Sequence, residues 1–368
     1  MSRARIITIA AGIMLSLLLA ESVTAHPAWG IVVDHKNQIY FSDIETIWKI
    51  DAQGKLTVFR AGLSGRHTHE INLDESDNLY GVDNSYEPAT QRSTIALWKM
   101  TPAGEFSYVV APTSDPPKAM TSWKDRAGNS YYVGQSDNTG REIFVLKRTP
   151  DGTVTTLAGN RKAGDEYRQE TLYSVGGMAF ATDGALYFTD NSNVRKVSMD
   201  GEMTMLAGNV AVENRADSPM SDSALTRLFG IAVDAQGAAF VADYGNRQIL
   251  KITPGGVSTV ARAERPWAPT GVALKDGNLY ILEFGFTPPS TYIPRVRKLS
   301  SDGSITLLAT VGANASSAVG ESAAQGPSEG TAASKRGLTY VAFGLGISIL
   351  ALTVFLWRIR RRASSRRP

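Results

Sequence analysis

The sequence contains no cysteine and only 4 histidines in 368 residues. The absence of cysteine excludes a disulfide framework, a thiolate metal site and a cysteine nucleophile. Three common catalytic or nucleotide-binding patterns are also missing, namely GxSxG, HExxH and GxxxxGK[ST]. Serine-hydrolase, zinc-peptidase and P-loop chemistry therefore have no support in the sequence.

A helical period is also missing between Trp29 and Thr310, whereas both ends of the chain carry long apolar runs. Residues 1–25 have two arginines, an apolar stretch and small residues before His26, a pattern typical of a cleavable secretory signal. An uncleaved N-terminal anchor is the alternative. Residues 338–357 are uncharged and long enough to cross a bilayer as a helix, although such a run could also be a buried core helix.

The charge distribution agrees with an anchor at the C-terminus. Residues 358–368 contain six arginines and no acid, so the positive-inside rule predicts that this tail is cytoplasmic and that the preceding body is extracytoplasmic. Residues 312–337 are rich in Gly, Ala and Ser and predict a flexible stalk. Of the net charge of +3, the two termini account for +9, which leaves −6 for residues 26–334 and argues against a nucleic-acid partner.

The remaining body, residues 26–311, is repetitive. Six segments share one plan, in which an apolar strand, a polar turn and a second strand with a central aromatic residue follow one another. A third strand, a Gly-containing turn and a fourth strand complete most copies. The six segments are GIVVDHKNQIYFSD, EINLDESDNLYGVD, TSWKDRAGNSYYVGQ, GMAFATDGALYFTD, GIAVDAQGAAFVAD and GVALKDGNLYILE.

Six four-stranded units of this kind predict an all-β fold, a six-bladed β-propeller of four-stranded blades. A single meander cannot bury both of its faces, so stacking the units around an axis gives each sheet two neighbours. The 285 residues from His26 to Thr310 give 47.5 residues per repeat, close to the usual size of a blade. A pair of β-sandwiches or an open solenoid is the alternative.

The stretch FGIAVDAQGAAFVADYGNRQILKI and the TLAGN and MLAGN segments resemble NHL-repeat propellers. HPAWGIVVDHKNQIYFSDIETIWKID is similar to the first blade of the related SMP-30 (gluconolactonase)-like group. The resemblance covers about 285 of the 368 residues. It implies the propeller fold, and it leaves function open because such propellers include lactonases, lyases and binding platforms.

In an antiparallel meander, the loop before the first strand and the loop after the second strand lie at the same end of the blade. We call this end of the ring the upper end. The acids that follow the second strands and the residues that precede the first strands should therefore lie together there. The acids are Asp43, Asp83, Asp190, Asp243 and Glu283. The residues before the first strands include Trp29, His67, His69, Glu70, Arg227, Phe229, Pro269 and Thr270.

Two interpretations of these acids remain open. Resemblance to the SMP-30 group implies one divalent cation, most plausibly Ca²⁺, held by Glu70, Asp83, Asp190, Asp243 and Glu283, with hydrolysis of a lactone or ester. The chain departs from that pattern, because Trp29 stands where the group has a carboxylate. The alternative is structural: an acid at the end of a strand bonds to the next turn or to a nearby arginine, as Asp243 would to Arg247 and Asp190 to Arg195.

The histidines give a further candidate. His67 and His69 are two residues apart, so on a strand they would face the same side, as a transition-metal site requires. Surface positions for these residues are the alternative.

Two long connections, residues 160–176 and 209–230, precede the fourth and fifth blades and should cross the upper end, where long loops often serve recognition. The sequence therefore favours a membrane-anchored extracytoplasmic binding module. Its ligand, a protein or a small molecule, should bind on the channel face at Trp29, His67, His69, Glu70, Arg227, Phe229 and Thr270. The alternative function is a metal-dependent lactonase or esterase.

Overall fold

The computed structural model shows six antiparallel sheets arranged as a β-propeller. It describes residues 27–87, 90–115, 121–125, 127–135, 143–159, 162–163, 166–167, 172, 174–199, 201–210, 228–287 and 291–312. The predicted signal, stalk, membrane helix and basic tail lie outside these residues, as does Arg227. In the described part of the chain, no helix is long and apolar enough to cross a membrane.

The first two blades are complete four-stranded meanders. Blade 1 comprises β1 (Ile31–Val33), β2 (Ile39–Ser42), β3 (Ile47–Ile50) and β4 (Leu56–Arg60). Blade 2 comprises β5 (Arg66–Leu73), β6 (Leu79–Glu87), β7 (Arg92–Met100) and β8 (Phe106–Thr113).

Blade 3 departs from the repeat. Its sheet has three strands, β9 (Ser130–Gln135), β10 (Ile143–Arg148) and β11 (Val154–Gly159). Its first-strand position is reduced, among the described residues, to a bridge between Lys124 and Ser130. A short hairpin of β12 (Lys162–Ala163) and β13 (Glu166–Tyr167) follows.

The last three blades return to the four-stranded plan. Blade 4 comprises β14 (Val175–Phe180), β15 (Leu186–Asp190), β16 (Asn193–Val197) and β17 (Met203–Ala207). Blade 5 comprises β18 (Leu228–Val233), β19 (Ala239–Asp243), β20 (Gln248–Thr253) and β21 (Gly256–Arg262). Blade 6 comprises β22 (Trp267–Lys275), β23 (Asn278–Thr287), β24 (Thr291–Leu299) and β25 (Ile305–Thr310).

The ring closes by packing of blade 6 against blade 1, without exchange of a strand. One buried apolar cluster contains Phe41 and Trp48 from blade 1 together with Leu282 and Phe284 from blade 6. Similar clusters join blades 1 and 2, 3 and 4, 4 and 5, and 5 and 6. Between blades 2 and 3, Asn72 Nδ2 donates to Ser122 Oγ at 2.9 Å. Face-to-face burial of apolar area therefore supplies the main cohesion of the ring.

Glycines allow the first strands to approach closely around the axis. A Cβ on Gly177 would lie 3.0 Å from the Cα of Gly230, and one on Gly230 would lie 2.8 Å from the Cα of Gly271. A Cβ on Gly271 would meet the backbone of Trp29, and one on Gly30 would lie 3.0 Å from the Cα of Glu70. The first residue of the GIVVD-type motif is therefore glycine because the next blade occupies the space of a side chain.

Two polar interactions that the sequence analysis did not predict recur in the blades. In the first turn of several blades, an aspartate accepts backbone N–H bonds, as Asp34 does from Lys36 and Gln38 at 2.9 and 2.8 Å. In all six blades, a lysine on the third strand lies over the aromatic ring opposite it on the second strand, at 5.3 to 6.0 Å. The pairs are Lys49–Tyr40, Lys99–Tyr80, Lys147–Tyr131, Lys196–Tyr187, Lys251–Phe240 and Lys298–Tyr280.

Candidate functional site

The strand register brings the start of each first strand beside the acid that ends the second strand. Thr68 is the partner of Asp83 in blade 2, and Leu228 is the partner of Asp243 in blade 5. Val175 pairs with Asp190, and Pro269 pairs with Glu283. The upper end therefore contains both predicted sets of residues. The structure separates them into two regions, the blade acids and the channel mouth.

Asp83 is bonded by groups from two blades. Arg60, on the last strand of blade 1, donates to both of its oxygens at 2.9 and 2.5 Å. Thr68 Oγ1 and Trp98 Nε1 donate to it at 2.6 and 2.8 Å. The guanidinium of Arg60 also lies 4.4 Å from the centre of the Trp98 ring. This buried pair ties blade 1 to blade 2, and the carboxylate of Asp83 is committed to it.

Glu283 in blade 6 is compensated in a similar way. Arg295 Nε donates to it at 2.6 Å, and Arg297 donates to both carboxylate oxygens. Arg297 also donates to the carbonyl of Arg262 in blade 5 at 3.0 Å. The two arginines leave Glu283 no free carboxylate for an external ligand.

The other blade acids have local partners as well. Asp190 accepts from Arg195 Nε at 3.0 Å, the pair expected from the sequence, and from the backbone N–H of Ser174 at 2.9 Å. Asp243 accepts from the side chains of Asn246 and Gln248 at 2.8 and 2.9 Å. Burial raises the pKa of Asp243, and these amide bonds oppose the rise. Asp43 accepts from the indole N–H of Trp48 at 2.6 Å.

This arrangement does not fit a calcium site. No three His, Asp or Glu side chains within the described ranges are placed to share a metal ion. Asp83, Asp190 and Glu283 are bonded to arginines, whose positive charge competes with a cation for the same oxygens. Calcium binding by these acids stays a prediction from resemblance.

The channel mouth is defined by Trp29, His69, Glu70, Phe229 and Thr270. Trp29 is its centre: its ring is stacked on His69 with centroids 5.2 Å apart and lies 5.7 Å from Phe229. The backbone N–H of Trp29 donates to the carbonyl of His69 at 3.0 Å. Residues from blades 1, 2 and 5 thus form one aromatic stack, and Thr270 of blade 6 is fully buried in the neighbouring first strand.

The stack continues in both directions. Phe229 packs edge-on against Tyr244 at 5.6 Å, and these two rings form a small buried cluster with Ala268. His67 is exposed and lies 6.0 Å from His69, almost perpendicular to it. Four of the predicted ligand-face residues, Trp29, His67, His69 and Phe229, are therefore in contact.

Glu70 occupies the position that is glycine in blades 1, 4, 5 and 6. It lies deep among protein atoms but remains partly accessible. Burial raises the pKa of Glu70 to about 8, and the indole N–H of Trp29 offsets part of the rise. No arginine or lysine of the described residues forms an ion pair with it, in contrast with Asp83, Asp190 and Glu283.

Two further polar groups of the channel mouth are buried without a hydrogen bond of normal geometry in the described part of the chain. They are the indole N–H of Trp29 and the hydroxyl of Thr270. Since burying such a group without a partner costs free energy, these positions are the expected ones for a ligand or for water to complete. The sequence analysis named both residues from their place before a first strand, but their hydrogen-bonding state required the structure.

A second cavity of about 430 Å³ lies between blades 4 and 5, apart from the channel mouth. Its lining is mainly polar and includes Asn209, Asn246, Gln248 and Arg262. Gln248 is already bonded to Asp243 and Thr259. The chain continues from its edge at Val210 into residues 211–227, which lie outside the described ranges.

Comparison with known proteins finds distant similarities to solved structures. No protein-family model and no curated protein matches the chain. The similar solved structures include a virginiamycin B lyase from Staphylococcus aureus, with 15% identity, a TM-score of 0.41 and coverage of 76% of this chain and 83% of the lyase. A gluconolactonase from Xanthomonas campestris has 14% identity and a TM-score of 0.45, with 70% and 83% of the chains covered.

A nidogen/laminin complex is also similar, with 15% identity, a TM-score of 0.45 and coverage of 74% and 92%. The six-bladed architecture that the resemblance implies is confirmed by the sheets of the structure itself. Similarities this distant carry no argument about activity, so the function has to be argued from the residues of the channel mouth.

Proposed function

We propose that this chain is a membrane-anchored, extracytoplasmic binding propeller whose channel mouth takes a small-molecule or protein ligand. One observation carries the proposal. The acids at the blade ends are compensated within the chain, whereas the channel mouth is not. There Glu70 has no cation among the described residues, its donor, the indole N–H of Trp29, is not in normal hydrogen-bond geometry, and the hydroxyl of Thr270 is buried without a partner in the described part. Groups of this kind are stabilised when a ligand supplies their partners.

Export and anchoring rest on the sequence. Residues 1–25 would direct secretion and residues 338–357 would hold the protein in the membrane, with the arginine-rich tail on the cytoplasmic side. The channel mouth would then be presented to ligands outside the cytoplasm.

The aromatic stack supports binding rather than metal-dependent hydrolysis. Trp29, His69 and Phe229 give a rigid, partly apolar wall, and large rings lose little conformational entropy when they bind. The carboxylates that a lactonase would need for a cation are bonded to arginines and amides.

The proposal is tested with a photo-reactive amino acid placed at one of two exposed positions of the full chain in its native membrane. His67 lies beside the channel mouth, and Lys36 lies in the turn at the opposite end of blade 1. We expect ligand adducts at position 67 that are lost in Trp29→Leu, and none at position 36. Equal labelling at both positions, or none at either, would contradict the proposal.

The hydrolase alternative is tested on the same chain in detergent. One tightly bound divalent cation, together with lactone turnover that is lost on chelation, would favour that alternative. Unchanged stability after chelation and no turnover of a lactone panel are expected for a binding propeller.

A further inference from the structure

Glu70 differs from the other acids of the upper end in what surrounds it. Asp83 has Arg60, Asp190 has Arg195, and Glu283 has Arg295 and Arg297. No cationic side chain of the described residues is paired with Glu70. Since an ionised carboxylate is stably buried only beside a positive charge or several hydrogen-bond donors, a group that stabilises the ionised form of Glu70 would have to come from outside the described residues.

The position of Glu70 also argues for a ligand rather than for a structural role. The equivalent residue is glycine in blades 1, 4, 5 and 6, where a side chain would collide with the next first strand. A glutamate there places a carboxyl at a level of the channel where those four blades have no side chain at all. Among the described residues it has no arginine from a neighbouring blade, whereas Asp83 has Arg60.

The surroundings of Glu70 are suited to an alkyl chain next to the charge. The His69–Trp29–Phe229 stack provides an apolar wall beside the carboxyl, and the Thr270 hydroxyl provides a further polar atom. The ring of Trp29 is already in contact with His69 and Phe229, so we assign the cation to the carboxyl of Glu70 rather than to the face of that ring.

We propose that the channel mouth binds a primary ammonium group on an apolar stem, with the ammonium at the carboxyl of Glu70 and the stem against the Trp29 stack. A small alkylamine and a lysine side chain of a partner present the same chemistry. A charged hydrogen bond between the ammonium and Glu70 would give this acid the positive charge that the described residues do not supply. A bound ammonium would lower the raised pKa of Glu70, because a neighbouring cation favours the ionised form of the acid.

This inference rests on the proposed binding function and is tested separately from it. The full chain in detergent is labelled with 5-fluorotryptophan, and the Trp29 signal among the 6 tryptophans is assigned by its loss in Trp29→Phe. The probes are n-butylammonium and its neutral analogue n-butanol. N-acetyl-lysine-N-methylamide and the norleucine counterpart form a second pair, which distinguishes a free amine from a lysine side chain. All titrations are made near pH 8.5, where the amines remain protonated.

We expect the Trp29 signal to shift with at least one ammonium probe and to respond about tenfold more weakly to the matching neutral probe. Glu70→Gln should remove this preference, whereas Glu105→Gln, an exposed change of the same charge in the same blade, should retain it. Thermal unfolding of each variant confirms that it is folded.

Equal binding of charged and neutral probes would overturn the ammonium proposal and leave the binding function intact. A charge preference that survives Glu70→Gln would also overturn it. No shift with any probe overturns it too, and if position 67 also gave no adducts, the proposed function would fail with it.

Discussion

Blade 2 contains two buried carboxyl groups that differ in whether a cation is paired with them. Asp83 receives hydrogen bonds from Arg60, Thr68 and Trp98. Glu70, on the neighbouring strand, has no cation among the described residues, and burial raises its pKa to about 8. The difference separates an acid that is paired with an arginine and joins two blades from an acid that weakens the fold when it is ionised, which is the one we propose as a ligand site.

The same contrast extends around the ring. At the blade ends, acids are matched by arginines or amides from the same or the adjacent blade. At the channel mouth, a carboxyl, an indole N–H and a hydroxyl are buried with few partners. Buried polar groups that lack partners lower the stability of a fold. The channel mouth keeps such groups, and this is why we propose that a ligand binds there.

The largest effect is expected from breaking the interblade pair. Asp83→Ala leaves Arg60 buried without its counter-ion, which should cost about 3–5 kcal/mol of unfolding free energy. Thermal unfolding of the full chain in detergent should show a melting temperature lower by roughly 6–15 °C.

Asp183→Ala is the control for this prediction. It removes an exposed partner of Lys196 at 3.6 Å and should change stability by less than about 1 kcal/mol. Similar losses of unfolding free energy for Asp83→Ala and Asp183→Ala would show that the buried Asp83–Arg60 pair stabilises the protein no more than the exposed Asp183–Lys196 pair does.

The second prediction concerns Glu70→Gln, which should stabilise the protein in a pH-dependent way, whereas Asp83→Ala destabilises it. Because the pKa of Glu70 is higher in the folded protein, the folded state binds the extra proton, and stability falls as the pH rises from about 4.5 to about 8. Glu70→Gln removes this loss. The variant should match the parent near pH 4 and be more stable by roughly 3 kcal/mol near pH 9, which is less than the full pKa difference would give because Glu70 is partly accessible to solvent.

Melting temperatures of the two proteins across this pH range measure the effect. Glu105→Gln, at an exposed site, should follow the parent at every pH. If the difference in melting temperature between Glu70→Gln and the parent were the same at every pH, ionisation of the buried Glu70 carboxyl would not be its cause.

Much of the fold could be predicted because its determinants are local. Alternating apolar residues, a Gly-containing turn and an aromatic centre recur within each repeat, and strand register follows from them. The meeting of the acids with Trp29, His69 and Phe229 at one end also follows, because it depends only on the direction of the first two strands.

What the sequence could not predict depends on contacts between blades. Arg60 lies 23 residues from Asp83, and no local pattern indicates that the end of one blade bonds the second strand of the next. The reduced first strand of blade 3 was missed because TSWKD matches the apolar pattern of the other copies. The turn aspartates and the lysine–aromatic pairs had a readable signal, namely recurrence at a fixed place in the repeat.

The third prediction concerns the glycines that let the first strands approach. Gly230→Ala places a methyl group 2.8 Å from the Cα of Gly271, and the backbone of blade 6 must move to accept it. We expect a loss of about 1–3 kcal/mol, measured by urea unfolding. Gly255→Ala is the control, because its nearest neighbour would be the Thr253 hydroxyl at 3.6 Å, and it should be close to neutral. Equal losses of stability for Gly230→Ala and Gly255→Ala would show that glycine is not required at the start of the first strands for steric reasons. Glu70 would then no longer stand out by occupying such a position.

The smallest effect tests the device that all six blades share. Phe240 has no hydroxyl, so Lys251→Met isolates the attraction between the ammonium, 5.3 Å from the ring centre, and the aromatic face while keeping the apolar stem. The loss should be about 0.5 kcal/mol, and combining it with Lys49→Met in blade 1 should roughly double it, because the two sites share no partner. Urea midpoints of the two single variants and the double variant measure the sum. No loss in any of them would mean that the lysine stems cover the rings without a contribution from their charge, and the device would then be packing rather than electrostatics.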